Sequence, residues 1–337
     1  MSTILQNNLE LNKTVQQIMD RSLAKGTLTQ YECGFNSYKQ FLLLAGFSWN
    51  DKYEMPPLSE DSLIHYATHC HKHLNLKCST IKLYICGIRY KFLQSGIPNL
   101  FSNCCSSKMF RLEAIYKGIK KSEVKNTRER LPITYDILLD ICSHLQKGIF
   151  SVYTDILIET ACIIAYFGFL RCGEFTVNIE FDTECNLCLE DIRFVDDSAV
   201  LHLKSSKTDP FRLGVDIHLF RNDSALCPVK ILHKYLSTRL SKFDKNSSSD
   251  PLFLMEDGEA LTRLYFISHL KSILQFLGHN SDKYNGHSFR IGAATSVASK
   301  IEDHLIKVLG RWNSQCYTRY IHTPLSTIKQ AQLALIN

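Results

Sequence analysis

Two short segments in the second half of the chain carry arginines at a spacing suited to holding a phosphate group. Arg171 follows an apolar stretch, and Glu174, three residues later, could brace its guanidinium. His287 and Arg290 stand at positions i and i+3, so a helix would present both on one face. A guanidinium offers a planar fork of donors that matches phosphate oxygens. The two segments therefore predict a site that binds a phosphate-type anion.

Three further residue types would let such a site transfer the phosphoryl group as well as bind it. Tyr320 is a candidate nucleophile, and Trp312 could pack beside it. Lys207 could protonate a leaving oxygen, and Lys204 in the same polar segment competes for that role. Each segment alone is a weak signal, because a lone Arg-x-x-Glu is usually a surface ion pair and a tryptophan usually belongs to the core. In chain order the candidates are Arg171, Lys207, His287, Arg290, Trp312 and Tyr320.

The order and types of these residues resemble the catalytic set of the tyrosine recombinase, or phage integrase, family. The resemblance covers residues from about 130 to about 330. Segments 287–295, 310–314 and 317–321 are especially similar to the recombinases of Crypton- and DIRS-type eukaryotic mobile elements. Many bacterial members have a second histidine where this chain has Trp312, and tryptophan is an accepted variant at that place.

The resemblance implies an enzyme that cuts and rejoins double-stranded DNA through a 3′-phosphotyrosyl intermediate. Tyr320 would attack the scissile phosphate, and Lys207 would be the general acid towards the departing 5′ oxygen. Arg171 and Arg290 would stabilise the charge that develops on the non-bridging oxygens. Because the covalent link retains the phosphodiester energy, neither ATP nor a metal ion nor another cofactor is expected.

The resemblance also gives roles to the residues around this set. His287 would assist proton transfer or hold the phosphate, Trp312 would pack and donate its indole N–H, and Glu174 would support Arg171. Tyr317 is an alternative nucleophile, because it would share a helical face with Tyr320. The family pattern Arg-Tyr-Ile favours Tyr320.

The elements that must position these residues follow from hydrophobic periodicity. The first part of the chain predicts a four-helix unit, and the polar segment 125–132, which ends in Leu-Pro, predicts a domain boundary. Beyond it we predict helices around three short antiparallel strands, at 187–194, 199–204 and 215–219. The fold class is therefore mainly α with a small antiparallel β-sheet. We expect a helical core-binding, DNA-clamping domain over residues 1–125 and a catalytic domain over residues 131–337.

Positive charge is concentrated in the N-terminal part. Residues 1–130 hold 18 Lys and Arg against 10 Asp and Glu, whereas the remainder holds 21 against 23. Segment 108–130 alone has eight basic and three acidic side chains. Such a segment suits a phosphate backbone, whose binding is driven by counterion release. The residues expected to contact DNA are Lys117, Lys120, Lys121, Lys125, Arg128 and Arg130.

Other compositional features point away from metal, membrane and secreted classes. The 13 cysteines are irregularly spaced, and Cys185 and Cys188 form a C-x-x-C pair without a second pair at zinc spacing. The histidines of segment 65–73 lie among polar residues and are expected at the surface or in the core. The longest apolar run, 161–170, is too short to span a bilayer, and no secretory signal is visible. We therefore expect no metal, no membrane association, and reduced thiols in an intracellular compartment.

Two other functions remain open at this stage. A domesticated, non-catalytic DNA-binding protein derived from a mobile element would be expected to lack the nucleophile or an arginine, and all six positions are present. A type IB topoisomerase uses the same residue logic but matches the mobile-element segments less well. The resemblance further implies a homo-oligomer, a tetramer on paired DNA sites, and a nuclear location. The apolar tail 321–337 would pack on a neighbouring protomer or on its own domain.

Overall fold

In a computed structural model the chain divides into two compact units, Met1–Asn126 and Thr127–Asn337. Each unit has its own cluster of buried apolar side chains. The structure describes residues 8–50, 54–97, 109–123, 130–178, 180–206, 209, 211–243, 247–298, 300–321, 329 and 332–333.

The first unit is helical over its described residues. Its helices are α1 (Leu9–Arg21), α2 (Lys25–Leu44), α3 (Glu60–Lys72), α4 (Cys78–Gln94) and α5 (Phe110–Ser122). Ser59 caps α3 by accepting a hydrogen bond from the Ser62 backbone N–H, as its place before an apolar-periodic run predicts. The four predicted helices correspond to α2–α5, and α1 was not predicted. Helix α1 buries none of its residues, so it lacks the packed face on which periodicity analysis depends.

The second unit is built around one buried helix. In chain order its helices are α6 (Tyr135–Leu145), α7 (Val152–Phe167), α8 (Cys172–Phe175), α9 (Pro228–Lys242), α10 (Arg263–Phe276), α11 (Ser288–Val297) and α12 (Asp303–Gly310). Every residue of α7 from Tyr153 to Tyr166 is buried, and α6, α9 and α11 pack around it. A helix that is apolar on all sides needs such a complete surround.

A small sheet lies beside these helices, with strands β1 (Ile192–Val195), β2 (Ser198–Leu203) and β3 (Val215–Phe220). The order is β1-β2-β3 and both pairs are antiparallel, with Ile192 opposite Leu201 and Leu203 opposite Val215. The predicted fold class is confirmed: the chain is mainly helical with one small antiparallel sheet. The first strand begins later than predicted, because Leu189–Asp191 forms a turn of 3-10 helix.

Among the described residues of the second unit, two helices are followed by a residue other than glycine with a left-handed backbone. Phe169, just after α7, has φ +48°, and Arg311, just after α12, has φ +54°. Gly310 precedes Arg311 for a different reason: a Cβ atom there would lie 1.9 Å from the Trp312 ring. The turn residues therefore place Arg171, Arg311 and Trp312 directly beyond the helix ends.

Candidate active site

Residues from four separated segments of the second unit converge beside the N-terminus of α11. Arg171 follows the turn after α7, and His287 and Arg290 lie at the start of α11. Trp312 follows α12, and Tyr320 ends a 3-10 segment, Gln315–Tyr320. Helix α11 contacts both α12 and that segment.

The position of α11 depends on a close approach of backbone at Gly292. The Ile133 backbone N–H donates to the Ser288 carbonyl at 3.0 Å, so the extended segment before α6 lies along α11. A Cβ atom on Gly292 would lie 1.7 Å from the Ile133 carbonyl oxygen. Only glycine allows this contact, which fixes where Arg290 is presented.

Glu174 holds Arg171 by two bonds. The Arg171 Nη1 atom donates to Glu174 Oε1 at 2.9 Å, and the Arg171 backbone N–H donates to Oε2 at 2.8 Å. The Arg171 side chain is 21% exposed, whereas that of Glu174 is 5% exposed. The carboxylate is therefore a buried support, and the guanidinium keeps a face open to solution.

Arg290 is fully buried, yet it faces few negative charges. Its Nη1 atom donates to the Phe169 carbonyl at 2.7 Å, and its Nη2 atom donates to the Gly310 carbonyl. The guanidinium carbon lies 4.5 Å from the centre of the Trp312 ring. Burial, followed by the charges of Arg171 and Arg311, lowers the pKa of Arg290 to about 9. A bound anion would relieve this unfavourable positive charge.

Two aromatic side chains contact the candidate nucleophile. The Tyr320 ring is stacked on Trp312 with centroids 5.3 Å apart and meets the His287 ring edge-on at 4.9 Å. The Thr295 hydroxyl donates to the Tyr320 carbonyl at 3.0 Å, which ties its backbone to α11. The predicted catalytic residues His287, Arg290, Trp312 and Tyr320 thus lie together.

Tyr317 lies differently from Tyr320, which bears on the choice between them. Tyr317 is buried in the core, and its hydroxyl donates a hydrogen bond to Asp303 that raises the pKa of the phenol. Tyr320 is only partly buried, beside His287. Tyr317 therefore has the contacts of a core side chain, whereas Tyr320 keeps part of its surface exposed beside His287.

The two candidate lysines have different outcomes. Lys207 lies outside the described residues, in the connection between β2 and β3. Lys204 is described, and its ammonium lies 2.9 Å from Asp191 Oδ2 and donates to the Thr183 carbonyl at 3.0 Å. Lys204 Nζ also lies 3.2 Å from the Cys188 sulfur. The Lys204 ammonium is therefore bound to Asp191, Thr183 and Cys188, which is a structural role.

Arg311 is a charged residue at the site that sequence reasoning did not single out. Its Nη2 atom donates to Glu174 Oε2 at 2.7 Å, and its Nη1 atom donates to the Gly168 carbonyl at 3.0 Å. Its neighbour Trp312 was chosen from the same segment. Arg311 is recognised by its contact with Glu174, which is distant in the sequence. Spacing between neighbouring residues does not predict such a contact.

The predicted basic segment is only partly within the described residues. Lys117, Lys120 and Lys121 lie exposed on α5 of the first unit. Lys125 and Arg128 lie outside the described residues. Arg130 belongs to the second unit, where its Nη1 atom donates to the Asp282 carbonyl at 3.1 Å.

The described residues contain no group of three or more His, Cys, Asp and Glu side chains that could hold a metal ion. On α3, His65 Nδ1 contacts the Asp61 carbonyl and His71 Nε2 lies 3.3 Å from the Ser122 hydroxyl, as surface histidines do. None of the described helices is long and apolar enough to cross a membrane.

Solved recombinase structures share this architecture. A XerH site-specific recombinase bound to a palindromic difH substrate superposes with a TM-score of 0.63 at 16% identity, over 93% of this chain and 80% of that one. The integrase of transposon Tn1549, in complex with transposon right-end DNA, gives 0.56 at 12% identity, over 90% and 99% of the chains. A lambda integrase dimer bound to a COC′ core site gives 0.55 at 14%, over 95% and 80%. This chain has the fold of the tyrosine recombinases.

One curated protein with a similar sequence gives the same indication. An integrase/recombinase xerD homolog from Selenomonas ruminantium is 20% identical over 304 residues, which is 89% of this chain and 82% of that protein. No family model matches the sequence. The relative is thus similar to this chain over most of both sequences, and the solved structures show the shared fold.

Proposed function

We propose that this tyrosine recombinase-fold protein is a site-specific DNA strand transferase with Tyr320 as its nucleophile. The observation that carries the proposal is the placement of Tyr320 against His287 and Trp312, with the buried Arg290 beneath the same tryptophan. Arg171 lies in the same charge cluster, since its positive charge contributes to the lowered pKa of Arg290.

The reaction is a transesterification in which one phosphodiester replaces another. The Tyr320 phenol oxygen bonds to the scissile phosphorus while the bond from phosphorus to the 5′ oxygen breaks. The phenol proton passes to His287, and the departing oxygen takes a proton from Lys207. Arg171 and Arg290 stabilise the negative charge that builds on the non-bridging oxygens. Reversal with the 5′ hydroxyl of another strand rejoins DNA without ATP.

Partners and context extend the proposal. The structural neighbours include a lambda integrase dimer on core-site DNA and a tetramer on a Holliday junction. By analogy, this protein binds double-stranded DNA and assembles on paired sites. The Tn1549 integrase comes from a transposon, which fits the mobile-element interpretation. The motif likeness to Crypton- and DIRS-type recombinases favours action in a nucleus.

The test is covalent trapping of the purified protein on nicked suicide DNA substrates with candidate element ends, in the presence of EDTA. We expect a protein band shifted by covalent DNA on a denaturing gel, lost in Tyr320→Phe and retained in Tyr317→Phe. EDTA in the reaction also tests whether a divalent metal is needed.

The matched tyrosine variants separate the outcomes. Loss of the band in Tyr317→Phe alone would keep the chemistry and overturn the nucleophile. DNA binding without a covalent band, across varied DNA ends, would favour the domesticated binding protein. Relaxation of supercoiled plasmid without recombination of paired sites would favour a topoisomerase.

A further inference from the structure

We infer that Arg311 is a positioning residue that holds the two phosphate-binding arginines in place and adds a third positive charge beneath the phosphate. This inference rests on the proposed function. It goes beyond it by giving a role to a residue outside the predicted catalytic set.

Arg311 shares a carboxylate with Arg171. The Glu174 side chain accepts from Arg171 Nη1 through Oε1 at 2.9 Å and from Arg311 Nη2 through Oε2 at 2.7 Å. One buried carboxylate therefore bridges two guanidinium groups. Any movement of Arg311 would release the oxygen that also accepts the Arg171 backbone N–H.

Arg311 also shares an acceptor with Arg290. The Phe169 carbonyl oxygen accepts from Arg290 Nη1 at 2.7 Å and from Arg311 Nη2 at 3.3 Å. Arg311 Nη1 donates to the neighbouring Gly168 carbonyl at 3.0 Å. The turn at residues 168–169 is thereby fixed from both sides, and it leads directly into Arg171.

Burial separates the role of Arg311 from that of Arg171. The Arg311 side chain is 11% exposed, and two of its nitrogen atoms are engaged with Glu174 and the turn carbonyls. Arg171 is twice as exposed, at 21%. Arg311 therefore acts through its neighbours, whereas Arg171 keeps a face for substrate. Arg290, which is fully buried, has its phosphate-binding role from the family resemblance and not from exposure.

The charge balance of the cluster suits an anion that gains charge during reaction. Three guanidinium groups, on Arg171, Arg290 and Arg311, face one carboxylate, on Glu174, which leaves a net charge of +2 among these four groups. Burial lowers the pKa of Arg311 as well as that of Arg290. A phosphodiester carries one negative charge, and the pentacovalent transition state carries a second on its non-bridging oxygens, so the cluster matches the transition state better.

Arginine is required at position 311 because its hydrogen bonds point in two different directions. One nitrogen bonds Glu174 and another bonds the Gly168 carbonyl, which is a fork that a lysine ammonium does not reproduce. Arg311→Lys therefore keeps the charge but loses part of the geometry, and Arg311→Gln loses both.

The experiment measures single-turnover cleavage of a suicide DNA substrate by the full-length protein. For Arg311→Lys we expect the rate at saturating DNA to fall by about 100-fold, because small displacements of positioned groups cost roughly this much. The DNA concentration for half-maximal rate should stay within about threefold. Arg239→Lys is the matched control, since Arg239 is also a buried arginine, in α9 and not among the residues of the cluster. We expect its rate at saturating DNA to be unchanged.

A double-mutant cycle identifies the route of action. The cycle compares the fold-decrease in cleavage rate caused by Arg311→Lys in two backgrounds, wild type and Glu174→Gln. If Arg311 acts largely through Glu174, that fold-decrease should be at least ten times smaller in the Glu174→Gln background. A wild-type rate in Arg311→Lys, or an equal effect in both backgrounds, would overturn the inference. So would failure of both Arg311 variants to fold when Arg239→Lys folds, since Arg311 would then be structural.

A measurement of anion binding tests the role of Arg311 independently of strand transfer. If the wild-type protein forms no covalent complex, the proposed strand transfer is wrong. Anion binding by the arginine cluster is then measured by thermal denaturation in sodium sulfate, compared with sodium chloride of equal ionic strength. Sulfate should raise the Tm of wild type and of Arg239→Lys, and the increase should be lost in Arg311→Gln. Equal increases in all three proteins would overturn the role of Arg311.

Discussion

Among single residues, Lys204 shows how surroundings decide which of two lysines suits acid catalysis. Burial opposes its charge, but hydrogen bonds to Asp191 and Cys188 outweigh that effect and raise the pKa of the Lys204 ammonium. An ammonium whose proton is held this firmly is a poor general acid. Lys207 therefore stays the predicted general acid.

Replacing the leaving oxygen by sulfur tests that choice. Lys207→Ala should slow cleavage of ordinary DNA by at least about 100-fold. With a 5′-bridging phosphorothiolate, cleavage should recover to within about tenfold of wild type, because a thiol with a pKa of about 8.5 leaves without a proton donor. Rates are measured in single turnovers on matched substrates.

Lys204→Ala serves as the matched lysine control. It leaves the buried Asp191 without its ammonium partner, so the free energy of unfolding should fall. Its cleavage rate on ordinary DNA should stay near wild type. A rate defect in Lys204→Ala that the thiolate rescues would reverse the two assignments.

Among the elements, sequence patterns located the packed helices well because their apolar faces repeat and their caps are local. Thr262 caps α10 by accepting from the Tyr265 backbone N–H at 3.2 Å, at the position where the periodic run begins. The segment around Tyr320 was expected to be helical, but it is a short 3-10 stretch. Its geometry is set by packing on α11 and α12, which periodicity does not report.

The candidate site shows the same division between local and long-range information. His287 and Arg290 could be paired from their spacing on one helix. The sharing of Glu174 by Arg171 and Arg311 could not, because it joins two turns that are distant in sequence. Fold contacts of this kind leave no local pattern to read.

The close approach of α11 to the segment before α6 gives a prediction about stability. Gly292→Ala would place a Cβ atom 1.7 Å from the Ile133 carbonyl oxygen. Because this oxygen belongs to the backbone, it cannot move away as the end of a flexible side chain could. We expect the free energy of unfolding of the second unit to fall by about 3 kcal/mol. Urea denaturation followed by circular dichroism measures it.

Gly118→Ala is the matched glycine substitution in a helix with open space around it. It should raise the stability of the first unit by about 0.5–1 kcal/mol, because alanine restricts the unfolded chain and favours helix. A Gly292→Ala protein as stable as wild type would mean that α11 does not depend on this contact.

For the whole molecule, the division into two units would separate the two tasks that the proposed DNA strand transfer requires. The candidate chemistry lies in the second unit, where Lys and Arg nearly balance Asp and Glu. The excess positive charge lies in the N-terminal part, and its described share includes the exposed lysines of α5. We therefore expect affinity for the DNA backbone and catalytic rate to respond to different substitutions.

The α5 lysines test this separation. Lys117, Lys120 and Lys121 are spaced to share one helix face, so that face can meet successive phosphates. Each phosphate contact contributes about −0.9 to the slope of log K against log salt concentration. Replacing all three by alanine should make that slope shallower by about 2–3, as measured by fluorescence anisotropy across a potassium chloride series. Cleavage at saturating DNA should stay within about twofold of wild type.

The matched control replaces Lys230, Lys283 and Lys300, which are exposed on the second unit, by alanine. An equal change of slope in that control would mean that net charge alone, and not the α5 face, governs binding.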